Sequence, residues 1–203
     1  MTEVCRTDNF VAKCYDNINN ETYPVTSYYM GKTEHLNKPL YNIIKIHKAD
    51  TDEVVFTYKE CRAGPMNPFR KFVKINGVQW FIGALNFKKR CFFNCETGKY
   101  VEAKEEFETW YNIKSMSPNS MMAIIYTYVY GGNTEYIRLY DFSQLETAGP
   151  IVKHIKNLPA IFDVSYPELY TFYFESDTEV RAEYRLDYED EEWHDMGVFK
   201  IAE

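Results

Sequence analysis

No apolar run in this chain approaches the roughly 20 residues that a membrane-spanning helix requires, so no helical membrane span is expected. The opening Met1-Thr2-Glu3-Val4-Cys5-Arg6 has neither the charged start nor the apolar core of a signal peptide. The expectation is a chain that stays where it is made, in the cytoplasm, with a virion as the alternative. Positive charge is scarce: 23 Lys and Arg against 30 Asp and Glu leave a formal charge of −7. That balance disfavours nucleic acid as a partner, because phosphate-backbone binding needs a positive surface to displace counterions. A basic protein fits better. Glycine is also sparse, nine in 203 residues, while tyrosine and phenylalanine number eighteen and fourteen. Such a composition belongs to half-buried strands, not to a linker or a disordered segment.

Catalytic and cofactor signatures are missing as well. There is no Gly-x-Ser-x-Gly elbow to accompany the scattered His35, His47, His154 and His194. Gly31-Lys32-Thr33 is not a phosphate loop, since the glycine required five residues earlier is Thr26. The five cysteines, Cys5, Cys14, Cys61, Cys91 and Cys95, are odd in number and irregular in spacing, which argues for reduced thiols over a disulfide framework. Cys91 and Cys95 flank Phe93 on one strand face and read as small buried apolar residues, not metal ligands. The sequon Asn20-Glu21-Thr22 carries no meaning without a secretory route. No cofactor and no metal are expected.

What is present is β-patterning with turn chemistry. Val73 to Ala103 forms a meander: Val73-Lys-Ile-Asn-Gly77, Val78-Gln-Trp-Phe-Ile-Gly83, a basic tip Lys88-Lys89-Arg90, Cys91-Phe-Phe-Asn-Cys95, the turn Glu96-Thr97-Gly98-Lys99, then Tyr100-Val101. Glycine at position 98 suits a positive φ in a hairpin turn. Tyr41 to His47 and Glu53 to Lys59 make an earlier hairpin. Ala123 to Tyr130 and Glu135 to Phe142 make a later one, with Ile151 to Ile155 after it, and Glu168 to Glu175 with Thr178 to Leu186 make a fourth. In that last strand Val180, Ala182, Tyr184 and Leu186 share one face, opposite Glu179, Arg181, Glu183 and Arg185.

Residues 1–40 read as an irregular N-terminal segment in which the short apolar runs Phe10 to Tyr15 and Tyr23 to Met30 are expected as edge or outer strands, and Glu102 to Tyr111 reads as a short helix near 102–111, because its residues are strong helix formers with Phe107, Trp110 and Tyr111 at helical spacing. Turns near Asp50, Glu96, Ser143 and Asp187 recur at intervals of about 46, 47 and 44 residues, a propeller-like period. The fold expectation is therefore all-β, antiparallel meander repeats in about four blade-like units over a single domain, 1–203. An open β-sandwich is the alternative.

The cadence ending in Asn94-Cys-Glu-Thr-Gly98 and the later Ile137-Arg-Leu-Tyr-Asp-Phe-Ser-Gln-Leu145 resemble blades of WD40-like β-propellers, in particular propeller-like proteins of bacteria and large DNA viruses. The resemblance runs loosely over residues 40–200 and best over 73–145. It implies a scaffold for binding partners and brings no catalytic residue.

Two stretches are candidate contact sites. Asp187 to Asp195 crowds acidic residues, and Glu189, Asp190, Glu191 and Glu192 form a landing patch for a basic protein or else a solvated turn anchored by Trp193. Its spacing does not match a calcium loop. Lys88, Lys89 and Arg90 lie among aromatics, a pattern that can stack and neutralise a nucleic acid strand or simply keep a hairpin tip soluble. The functional expectation is a non-catalytic protein-interaction scaffold. The alternatives are a structural component of a larger assembly, such as a minor virion protein, and a propeller-borne hydrolase or lyase.

Overall fold

A computed structural model describes residues 1–16, 24–26, 33–35, 41–61, 70–85, 90–102, 109–129, 134–147, 149–153, 170–187, 189 and 191–202. Those residues are all β, with no helix among them. The chain divides into two compact units, residues 1–73 with 80–100, and residues 74–79 with 101–203.

The first unit starts with β1 (Thr2–Arg6) and β2 (Phe10–Asp16). These pair with β5 (Tyr41–Lys48) and β6 (Val54–Cys61) in the order β1-β2-β5-β6. The strand expected at Phe10 to Tyr15 is present as β2, inside the sheet and not at its edge, because β1 pairs on its outer side. The other partner of β2, β5, lies beyond an insertion that holds the small two-stranded sheet of β3 (Pro24–Thr26) and β4 (Thr33–His35). Alternation explains the first sheet: Ile44 and Ile46 on β5 and Tyr58 on β6 turn inward, while Thr57 and Lys59 face water.

The second sheet is a meander of β7 (Lys71–Ile75), β8 (Val78–Ala84), β9 (Arg90–Asn94) and β10 (Tyr100–Glu102), neighbouring in that sequence. Asn76 and Gly77 between β7 and β8 both have positive φ, 49° and 77°, the pair of left-handed residues that a type I′ hairpin turn demands. All of β9 is buried. The two sheets share one apolar core, with Ala12, Ile44, Ile46 and Tyr58 from the first and Phe81, Cys91, Phe93 and Cys95 from the second. Phe56 stacks on Phe93 with ring centroids 4.3 Å apart. Burying a phenylalanine of this kind contributes roughly 1.5–3 kcal/mol. Gly83 matters here, because a Cβ on it would lie 2.8 Å from Cζ of Tyr58.

In the second unit β11 (Thr109–Met116), β12 (Met122–Val129), β13 (Thr134–Asp141) and β14 (Ile151–Lys153) make the third sheet. Here the helix expected near 102–111 is corrected. Glu102 ends β10, and Thr109, Trp110 and Tyr111 begin β11, which pairs with β12 through two register shifts. Aromatic and β-branched residues with a strand partner prevail over the helix preference of the Glu-Ala-Lys stretch before them. Residues 103–108 of that expectation lie outside the described residues.

β15 (Tyr170–Ser176), β16 (Glu179–Tyr184) and β17 (His194–Lys200) form the fourth sheet. Its apolar face carries Phe172, Val180 and Ala182 against Ile124, Ile137 and Leu139 of the third sheet. The β11–β12 turn is stitched to the fourth sheet by Asn119, whose backbone N–H donates to Asp177 at 2.8 Å. Inside that turn Met122 N–H donates to the buried Ser117 Oγ at 2.9 Å.

The sequence period has a structural counterpart. Asn94 Oδ1 accepts from the backbone N–H of Glu96 and of Thr97, both at 3.0 Å. Asp141 Oδ1 accepts from Ser143 at 2.7 Å, and Asp187 Oδ1 from Glu189 at 2.9 Å. In the first sheet His47 holds the place of these residues, its Nδ1 lying 2.9 Å from the Asp52 carbonyl across the turn. Each side chain closes the connection from one strand to the next in its own sheet.

Candidate functional site

The fourth sheet presents two unlike faces because β16 alternates strictly. Val180 and Ala182 are fully buried, and Glu179, Arg181 and Glu183 point the other way. On that outer face Tyr173, Arg181 and Val198 are cross-strand neighbours, and Glu183 sits opposite Asp195. A bulge places Asp195 there: Gly197, at φ 103°, donates its N–H to Asp195 Oδ1 at 2.8 Å. That bond, followed by the contact with Arg181, holds the Asp195 carboxyl below the usual carboxylate range. Arg181 bonds Glu175, reaches Asp195 Oδ2 at 2.8 Å, and is held more firmly protonated by both. The Tyr173 hydroxyl donates to Glu183 at 2.8 Å, which raises its pKa.

The connection from β16 to β17 carries the acidic run. Glu189, Glu191 and Glu192 are exposed with Asp187. Trp193 does not anchor the connection in the core. It is 40% exposed, with the Arg185 guanidinium 5.4 Å from its ring centroid, a cation–π arrangement. Leu186, expected on the inner face, is 70% exposed because β16 has ended at Tyr184. Over the described residues of 170–202, nine carboxylates accompany three Arg and Lys side chains. The connection thus places exposed carboxylates beside an exposed aromatic ring.

Glu189, Glu191 and Glu192 are all exposed on the β16–β17 connection. Asp190, Lys88 and Lys89 lie outside the described residues. Arg90 is corrected: it is the first residue of β9 and only 1% exposed, so it does not belong to an exposed basic tip. The apolar Cys91-Phe92-Phe93 run carries the strand, and Arg90 with it, into the interior.

Two buried polar centres in the first unit had no sequence signal. His47 is 4% exposed; its Nδ1 faces the Asp52 carbonyl and lies 3.1 Å from the Asp52 carboxylate, and its Nε2 lies 3.3 Å from the Tyr15 hydroxyl. Lys13 bonds the same carboxylate, and this bond first of all lowers the Asp52 pKa. A carboxylate, imidazole and hydroxyl in a row are the parts of a hydrolytic relay. Here both ring nitrogens are engaged within the sheet, and the Asp52 turn, at φ 57°, is what they hold. The second centre is Glu60, fully buried and gripped by Arg70, whose Nε lies 3.1 Å from both carboxylate oxygens, with Asn42 Nδ2 donating at 3.3 Å.

The expected buried thiols are seen at Cys91 and Cys95, and none of Cys5, Cys14, Cys91 and Cys95 is in a disulfide. Burial pushes the Cys5 and Cys95 thiols up to about 12, which removes them as nucleophiles. Among the described residues no three His, Cys, Asp or Glu side chains are grouped to hold a metal, and no helix is long and apolar enough to cross a membrane. Compared with family models, curated proteins and solved structures, the chain finds no significant match in any of the three.

Proposed function

We propose that this chain is a non-catalytic protein-binding scaffold built on WD40-like, propeller-like β-repeats, and that it engages a basic protein partner through the β16–β17 connection. Support for the repeat reading comes from four antiparallel sheets in chain order and from turn-closing side chains at 47, 94, 141 and 187. Consecutive sheets sharing an apolar core, first with second and third with fourth, fit blade-on-blade packing. The observation that carries the binding reading is the exposure of Glu189, Glu191 and Glu192 beside an exposed Trp193. Exposed carboxylates next to an exposed aromatic ring suit recognition.

The test is affinity capture with the full chain and with Glu189, Asp190, Glu191 and Glu192 all changed to Lys. A partner held at fixed stoichiometry by the parent and lost from the variant supports the proposal; equal capture by both removes it.

A further inference from the structure

The four main sheets are not equal. The first three have four strands each, and the fourth has three, in the order β15-β16-β17. β17 is therefore an edge, and among the described residues no strand lies on its far side. Side-chain burial shows the same opening. Met196, Phe199 and Ile201 pack against the apolar core of the third and fourth sheets yet are only partly buried, and Val198 on the opposite face is 43% exposed. Such an edge offers unpaired backbone groups and apolar side chains to a further strand.

One bond shows which backbone groups are offered. Ile201 N–H donates inward to the Thr178 carbonyl at 2.9 Å. Successive residues of an antiparallel ladder turn their N–H and C=O to opposite edges, so Phe199 also faces β16, while Val198 and Lys200 point theirs outward. The bulge interrupts the ladder to β16 between Asp195 and Gly197, which leaves Gly197 to Ile201 as the regular part of the edge.

This stretch is complementary to itself. Laid antiparallel to its own copy about a two-fold axis at Phe199, it sets Phe199 against Phe199, Val198 against Lys200 and Gly197 against Ile201 of the second copy. Core-facing residues then meet core-facing residues, and outer ones meet outer ones. The two Val198–Lys200 pairs exchange bonds between the outward backbone groups. The Phe199 pair falls at a position without such bonds, where facing side chains come closest. No like charges stand directly opposite each other, and Lys200 has Glu179 beside it in its own sheet. The acidic connection precedes β17, so the two connections lie at opposite ends of the joint, where their mutual repulsion is screened. We infer that the open edge of β17 is a self-association site, at which two copies of the chain pair antiparallel through Gly197 to Ile201 and merge their fourth sheets. The joint uses the same surface of both copies, so association stops at a dimer. It is independent of the binding proposed at the β16–β17 connection, which it leaves uncovered.

The experiment is sedimentation equilibrium of the full chain over a concentration series, with circular dichroism to check the fold of each variant. A reversible monomer–dimer equilibrium is expected. Val198→Lys places a second cation opposite Lys200 at both ends of the joint and is expected to weaken the dimer about tenfold. Val198→Glu places a carboxylate there and is expected to leave the dimer at least as tight as the parent's. Lys200→Pro removes an outward N–H that has no bond to β16, so it spares the sheet and weakens the dimer about tenfold or more. This variant also serves should Val198→Lys unfold. A monomer at every concentration, a dimer weakened equally by Lys and Glu at position 198, a dimer indifferent to all three changes, or growth beyond the dimer overturns the inference. The variant with Lys at 189, 191 and 192 separates the two proposals. Its dimer is expected to persist whether or not it still captures a protein partner; loss of its dimer would place self-association on the connection and overturn the edge pairing.

Discussion

Asn94 and Asp141, 47 residues apart, do the same job: each accepts a hydrogen bond from the backbone N–H two residues on and closes the turn that follows its strand. Such side-chain bonds stand in for a backbone turn and fix where the next strand begins. Asn94→Ala and Asp141→Ala are each expected to cost about 1 kcal/mol, while Asp141→Asn keeps the acceptor at a partly buried site and costs less. Urea unfolding of the three variants checks this. Equal losses for the Ala and Asn variants at position 141 would show that the side-chain oxygen is idle.

Gly83→Ala is expected to destabilise by about 1–3 kcal/mol, the usual cost of overpacking, because its new methyl group enters the Tyr58 phenol ring. Tyr58→Phe is expected to cost nothing or to stabilise. The buried hydroxyl has no hydrogen-bond partner among the described residues, so its loss removes a desolvated group and no bond. Denaturant midpoints of the two variants, measured side by side, must move in these unequal ways.

Arg70→Met strands Glu60 fully buried without its cation, and a loss of about 3–5 kcal/mol is expected. The double variant Glu60→Leu with Arg70→Met removes both charges and is expected to recover most of that loss. A double variant no more stable than Arg70→Met alone would mean that the pair is not coupled.

Alkaline stability follows from the thiols. Cys5 and Cys95 ionise near 12 in the fold, against an ordinary value of 9.0, because burial disfavours the thiolate. The raised value means that their contribution is fully present below pH 9 and is lost as pH rises from 9 towards 12, since the unfolded chain releases the protons first. Cys95→Ala is expected to flatten that part of the stability profile, and iodoacetamide should leave both thiols of the native chain unmodified at pH 8.5. Rapid labelling without unfolding would refute the assignment.

Much of this architecture was legible because it is local. The Asn76-Gly77 turn, the Glu96 to Lys99 turn and the alternation of Val180 and Ala182 with Glu179, Arg181 and Glu183 are each written within a few residues. The misread parts are non-local. β2 finds its partner β5 across an insertion, and the short run Phe10 to Tyr15 carries no sign of that pairing. Thr109 to Tyr111 looked helical beside Glu102 to Phe107 until β12 supplied a strand to pair with. His47 joins Tyr15, 32 residues away, through the register of β2 on β5, so no motif marks it. Of the candidate site, the acidic run could be read directly. The exposed row of Tyr173 and Val198 could not, because it depends on how three strands pair.

The central claim is a protein-binding role without catalysis, and affinity capture with charge reversal tests it most directly. The account predicts one partner at fixed stoichiometry on the parent chain and its loss when Glu189, Asp190, Glu191 and Glu192 become Lys. Undiminished capture by that variant, or turnover of an ester, glycoside or phosphoester by the parent chain, would contradict it.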